Sequence, residues 1–168
     1  MYRTINDFLS DWQREAESTL KLFEQLTDAS LSQRITAQGR TLGRLAWHIT
    51  VTVSEMTHLA GIPIPALADE YVDGPTSAQL LKDTYQRDAD AVAKLVAKHW
   101  TDEMLTDDVP MYGGDNWKKG QVLSILIGHQ THHRGQMTVL MRQAGLQVPG
   151  MFGPSYEEWL AYGQQPLK

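Results

Sequence analysis

Gly128-His129-Gln130-Thr131-His132-His133-Arg134-Gly135-Gln136 lies inside an apolar run from Val122 to Met141 that contains no proline. The run reads as one helix. At about 100° and 1.5 Å per residue, His129 and His133 stand roughly 40° apart around that helix and about 6 Å apart along it. Two imidazoles side by side on one face can chelate one metal ion. With Val122 set at zero, Leu126 falls at about 40° and Leu140 at about 0°, while His129 falls at about 340° and His133 at about 20°. Both histidines therefore share the apolar stripe, whereas His132, at about 280°, sits on its shoulder, partly exposed or donating to a neighbour. A lone inward histidine is usually a core residue bonded to a polar neighbour. An inward pair four residues apart, with no acidic residue beside it in sequence, favours a metal instead.

The segments around this helix have the same period. Thr4 can cap a first helix with Asp7 in its first turn, and Phe8, Trp12, Ala16, Thr19, Leu20, Phe23 and Leu26 carry the repeat to about Thr27. Residues 28–39 form a polar connection. Thr41 opens a second helix that runs to about Ala60, where Gly61-Ile62-Pro63-Ile64-Pro65 stops it. Its inward stripe is Leu45, Ile49, Thr52, Met56 and Leu59; the β-branched run Ile49–Val53 stays helical because the repeat continues on both sides. Residues 61–75, with Pro63, Pro65, Gly74 and Pro75, form a long link, and a third helix runs from Thr76 or Ser77 to His99. A second long link, 101–116, contains the turn signal Tyr112-Gly113-Gly114-Asp115. The fourth helix spans about Trp117 to Ala144 and ends at Gly145. Ser155 and Glu158 are spaced as a capping box for a short last helix.

Four long helices and a short C-terminal one predict an all-α four-helix bundle, a single domain over residues 1–168. The two long links exceed what neighbouring antiparallel helices usually need. At least one can cross the bundle's length, which gives an up-down-down-up order.

Composition narrows the function. Hydrophobic residues make up 42% and charged residues 21%, ordinary for a globular protein, and a net charge of −5 with pI near 5.6 gives no reason to expect nucleic acid. No segment approaches a membrane span, and Met-Tyr-Arg-Thr-Ile-Asn-Asp-Phe is no signal peptide, so a cytoplasmic location is expected. The chain has no cysteine, so any thiol chemistry must use an outside thiol.

His48 is the candidate third ligand. With Leu45 at zero it lies at about 300° on the second helix, flanking the inward stripe, whereas His58, at about 220°, faces outward. His99 ends the third helix, where an imidazole suits the carbonyl end of the dipole. Glu55, at about 280°, could orient a ligand or act as a base. Gln136, at about 320°, could hydrogen-bond a ligand, and Arg134, at about 120°, is expected to pair with an acid on another helix or on a partner chain. Gly135 costs about 1 kcal/mol relative to alanine inside a helix, so close backbone packing is expected there. Trp47, at about 200°, is a candidate for a contact surface.

Leu45-Ala46-Trp47-His48-Ile49, then Trp117, then His129-x-x-x-His133-Arg134-Gly135-Gln136 resembles the DinB-like superfamily, which includes bacillithiol transferases and mycothiol-dependent maleylpyruvate isomerases. The resemblance implies an up-down-down-up bundle, a homodimer, and a divalent metal held by His48, His129 and His133. It also implies a stress-response protein whose metal activates a low-molecular-weight thiol, an S-transferase type of activity, or water. Zinc or nickel come first, with iron, manganese or cobalt as further candidates, and a small molecule is the expected substrate. The other class of reading is a non-catalytic protein in which the metal is structural or sensory. A zincin protease is disfavoured because Gln130 stands where its glutamate would be, and a di-iron bundle because paired Glu-x-x-His motifs are absent.

Overall fold

The structure, a computed structural model, describes residues 1–65 and 73–166. Three of the long helices begin at a side chain that satisfies an otherwise orphaned backbone N–H. Thr4 accepts from Asp7 N ahead of α1 (Ile5–Phe23), Thr41 from Arg44 N ahead of α2 (Leu42–Leu59), and Ser77 from Leu80 N ahead of α3 (Ala78–His99). The fourth, α4 (Lys119–Gln143), has no side-chain cap. An antiparallel hairpin, β1 (Asp108–Pro110) with β2 (Asn116–Lys118), leads into it, and Lys119 N bonds Asp107 O. Trp117, expected in the fourth helix, is therefore a strand residue opposite Val109. The first helix also ends earlier than its periodicity suggests. Thr27 caps a 3-10 turn, Asp28–Ser32, in a reciprocal box with Ser30, which turns the chain before Thr27 can extend α1. Gly145 takes the left-handed conformation, φ 74°, after α4, and the Ser155–Glu158 box starts α5 (Tyr156–Ala161).

Hydrogen bonds between helices give their directions. Tyr2 N bonds Gly120 O and Glu15 meets Arg134, so α1 and α4 run parallel. Ile5 N bonds Asp102 Oδ1 and Trp12 Nε1 donates to Ala89 O, so α3 runs against α1. His48 faces His129 and His133 while Met56 shares a cavity wall with Ile125, so α2 runs against α4. The order is up-down-down-up. Each of α1 and α2 packs against both α3 and α4. Because α2 and α3 are parallel neighbours, α2 ends at one end of the bundle and α3 begins at the other, and a link joins them. Residues 66–72 of that link, part of the expected 61–75 connection, lie outside the described residues. No helix among the described residues is long and apolar enough to cross a membrane.

Phe8, Trp12, Leu22 and Phe23 of α1, Leu81, Tyr85 and Val92 of α3, and Val122, Leu126 and Met137 of α4 meet in the core. Each large apolar side chain taken fully out of water contributes about 1.5–3 kcal/mol. The most enclosed helix is α2, buried almost continuously from Leu42 to Thr57. Its hydroxyls tolerate this because they donate to their own helix: Thr50 to Ala46 O, Thr52 to His48 O and Thr57 to Val53 O. Ile49–Val53 is accordingly helical, as expected.

Three expectations are corrected. Leu59 is 41% exposed instead of inward, because α2 ends there and Gly61, φ 91°, turns the chain away. Trp47 is buried, not a contact surface, because the chain returning toward α3 covers it; a Cβ added at Gly74 would sit 2.4 Å from its Cγ. Gly135 has no packing constraint: nothing lies within 4 Å of where its Cβ would be.

Candidate metal centre

The seam between α2 and α4 brings His48, His129 and His133 together. His48 and His133 are buried and His129 is half-buried. His129 Nε2 lies 3.1 Å from His48 Nε2 and 3.1 Å from His133 Nε2. One ring nitrogen from each residue lies within 4.8 Å of the other two, the arrangement of a group that could hold a metal ion. At metal–nitrogen bonds of about 2.0–2.1 Å, two nitrogens on one ion stand about 3.0 Å apart in an octahedron and about 3.3 Å in a tetrahedron. The observed spacing falls between these.

The outer nitrogens settle what the inner ones present. His133 Nδ1 is 2.8 Å from Gln136 Oε1, and an amide oxygen only accepts, so Nδ1 carries the proton. Gln136 Nε2 in turn donates to His132 Nε2 at 3.2 Å. Thr52 Oγ1 donates to His48 O and faces His129 Nδ1 at 3.4 Å, which makes it the acceptor there as well. With both protons on Nδ1, the Nε2 atoms of His129 and His133 aim lone pairs at each other. Two lone pairs 3.1 Å apart repel unless a cation stands between them. The donor set therefore fits a divalent ion better than it fits a hydrogen-bonded trio.

Electrostatics keep the rings available. Burial, then His133, Arg40 and Arg44, lower the His48 pKa to about 4. Burial, then the neighbouring histidines and Arg40, lower that of His129 to about 4 as well. His133 is also lowered, chiefly by burial, with the Gln136 bond opposing. At neutral pH no proton competes with a metal for these nitrogens.

The DinB family model matches residues 1–166. The chain belongs to the DinB family. It is 44% identical, over 168 residues, to the uncharacterized protein YrdA of Bacillus subtilis (strain 168), covering 100% of this chain and 99% of that one. A crystal structure of a DinB-like protein from Bacillus cereus ATCC 10987 superposes with a TM-score of 0.86 at 43% identity, covering 90% of this chain and 100% of that one. A second DinB-like protein, YjoA of Bacillus subtilis, has a TM-score of 0.68 at 16% identity over 86% of this chain and 97% of its own, a likeness of fold.

The other residues singled out in this DinB-family chain fall into place around the seam. The buried face of α4 is centred not on the histidines but nearer Gln130 and Met137, at about 80° and 60°. His129 consequently stands at the rim of the core, where a ligand can reach it. A cavity of about 220 Å³ opens there, lined by His48, Thr52, Glu55, Met56, Tyr112, Trp117, Ile125 and His129. Glu55 lies on its wall, outside the three-histidine group. Further along the same seam, Gln136 lines a second cavity of about 550 Å³ with Arg40, Leu45, Val139 and Leu140. His132 and His58 are exposed, and His58 Nδ1 faces Ile64 O at 2.9 Å.

Two residues near the site were missed. Gln130 is fully buried and donates to Ile49 O at 3.2 Å, tying α4 to α2 beside the histidines. Glu15 is the acid that pairs with Arg134. Its position between Trp12 and Thr19, on the inward stripe of α1, was the available signal.

Proposed function

We propose that His48, His129 and His133 hold a divalent ion, zinc or nickel first, and that this chain uses it to activate a low-molecular-weight thiol for S-transfer. The facing Nε2 lone pairs of His129 and His133, beside a cavity walled by His48 and His129, carry this reading. An ion bound by three imidazoles keeps positions open and lowers the pKa of a thiol that reaches it, so that a thiolate exists at neutral pH. Everything else is the work of the chain's own residues. Gln136 and Thr52 fix the imidazole tautomers, and Gln130 locks the helix spacing. Met56, Ile125 and Trp117 give the cavity an apolar wall, suited to sulfur, which is soft and weakly hydrated.

Elemental analysis of protein purified without an affinity tag tests the site. A divalent ion should be present in the wild type and lost from His48→Ala, His129→Ala and His133→Ala. Unchanged metal content in the triple variant overturns the assignment. Titrating cobalt-loaded protein with 2-mercaptoethanol tests the chemistry: a sulfur-to-cobalt absorption band is expected, and its absence with an intact site leaves the metal structural or sensory.

A further inference from the structure

Among the described residues lining the cavity at His48 and His129, Glu55 alone carries a formal charge. Facing it are two aromatic rings delivered by the hairpin region. Tyr112 Oη donates to Glu55 Oε2 at 3.1 Å, and the Tyr112 ring meets the Trp117 ring edge-on with centroids 6.0 Å apart. Tyr112 is 42% exposed, so this wall borders solvent. The second cavity has the opposite character: among the described residues lining it, the charged one is Arg40. The seam is therefore polarised, acidic and aromatic at one end of the histidines and basic and aliphatic at the other.

A carboxylate beside two aromatic rings attracts an organic cation and repels an anion. Glu55 also stands outside the three-histidine group. We propose that this mouth selects a thiol bearing an ammonium group, with sulfur directed to the histidines and the cationic end lodged against Glu55, Tyr112 and Trp117. The inference rests on the thiol reading above and names the substrate class within it.

The test uses cobalt-loaded full-length protein and three short thiols with the same two-carbon spacer after sulfur: thiocholine, 2-mercaptoethanol and 3-mercaptopropionate. Thiocholine is permanently cationic and its quaternary nitrogen cannot coordinate a metal, so any advantage must come from the protein. Dissociation constants are read from the sulfur-to-cobalt band. Thiocholine should bind about tenfold tighter than 2-mercaptoethanol, and 3-mercaptopropionate more weakly than either. In Glu55→Gln the thiocholine advantage should vanish while 2-mercaptoethanol binding stays within about twofold of wild type. Tyr112→Leu, at an exposed position, should reduce the same advantage and serves if Glu55→Gln does not fold. Equal affinity for thiocholine and 2-mercaptoethanol overturns the proposal, as does tighter binding of 3-mercaptopropionate. A preference that survives both substitutions overturns it too. If none of the three thiols yields a band, the thiol reading itself fails and this inference with it.

Discussion

Arg134 of α4 and Glu15 of α1 form an ion pair inside the bundle, with 2% and 11% of their side chains exposed. The guanidinium also donates to Glu15 O at 2.9 Å and Thr19 Oγ1 at 3.1 Å, and Thr131 Oγ1 donates to the same carboxylate at 3.0 Å. Thr131 and Arg134 flank His132 and His133 in sequence, on the side of α4 turned to α1. Anchoring that side fixes the rotation of α4 and so aims His129 and His133 at α2. The pair thus serves the site without touching it.

Removing one member strands a buried charge. Arg134→Met should cost about 3–5 kcal/mol, whereas Glu15→Leu combined with Arg134→Met should recover most of that loss. Urea denaturation of the single and double variants decides it; a single variant within experimental error of wild type would show that the pair is dispensable.

Gln136 holds His133 by its outer nitrogen. Gln136→Leu should weaken metal binding about 10–100-fold by freeing the ring and its tautomer. Because Gln136 is exposed, helix content should not change. Competition with a chromophoric chelator reads the affinity, and an unaltered value would rule out this orienting role.

The metal-free protein should lose stability in mild acid. His48 and His129 titrate at about 4 in the fold, against about 6.5 in an unfolded chain. Between these values the unfolded state binds more protons, so stability is full above about pH 6.5 and falls as pH drops toward 4. Ordinary carboxylates contribute little above about pH 5.5, which leaves a clean window. Urea midpoints of chelator-treated protein at several pH values should slope there, and less steeply in a His48→Asn, His129→Asn variant. Identical slopes would contradict the pKa assignment.

Two glycines should respond in opposite directions. Gly135→Ala meets nothing within 4 Å and should stabilise α4 by about 1 kcal/mol. Gly74→Ala drives a methyl into Trp47 and should cost about 1–3 kcal/mol. Thermal melts of both variants provide the comparison, and a destabilised Gly135→Ala would mean the helix needs glycine for another reason.

Local chemistry made the helices legible: Thr4, Thr41, Ser77 and Ser155 all cap where their spacing predicts. The convergence of His48 with His129 and His133 was legible in part: phase turned 129 and 133 the same way and put His48 beside the inward stripe, and the family resemblance completed the set. Contacts made by irregular segments were not legible. Trp47 looks outward on a helical wheel, but Gly74, on the chain returning toward α3, lies against it. Trp117 has a helical neighbour on one side and a strand partner, Val109, on the other, and cross-strand pairing decided between them. Gln136 lay on the expected face, but whether its amide turned to a ligand or to His133 was a rotamer choice that phase cannot encode.

The last long helix, α4, packs like α3 against both α1 and α2, and it brings two of the three imidazoles. A ribosome delivers α1, α2 and α3 first, and until α4 emerges Phe8, Trp12 and Ile49 lack part of their cover. A nascent chain that stops short of residue 119 offers a passing ion a single histidine of the set. If the site binds a metal as proposed, choosing among ions falls to the finished bundle, after synthesis, in whatever pool of free metals surrounds it.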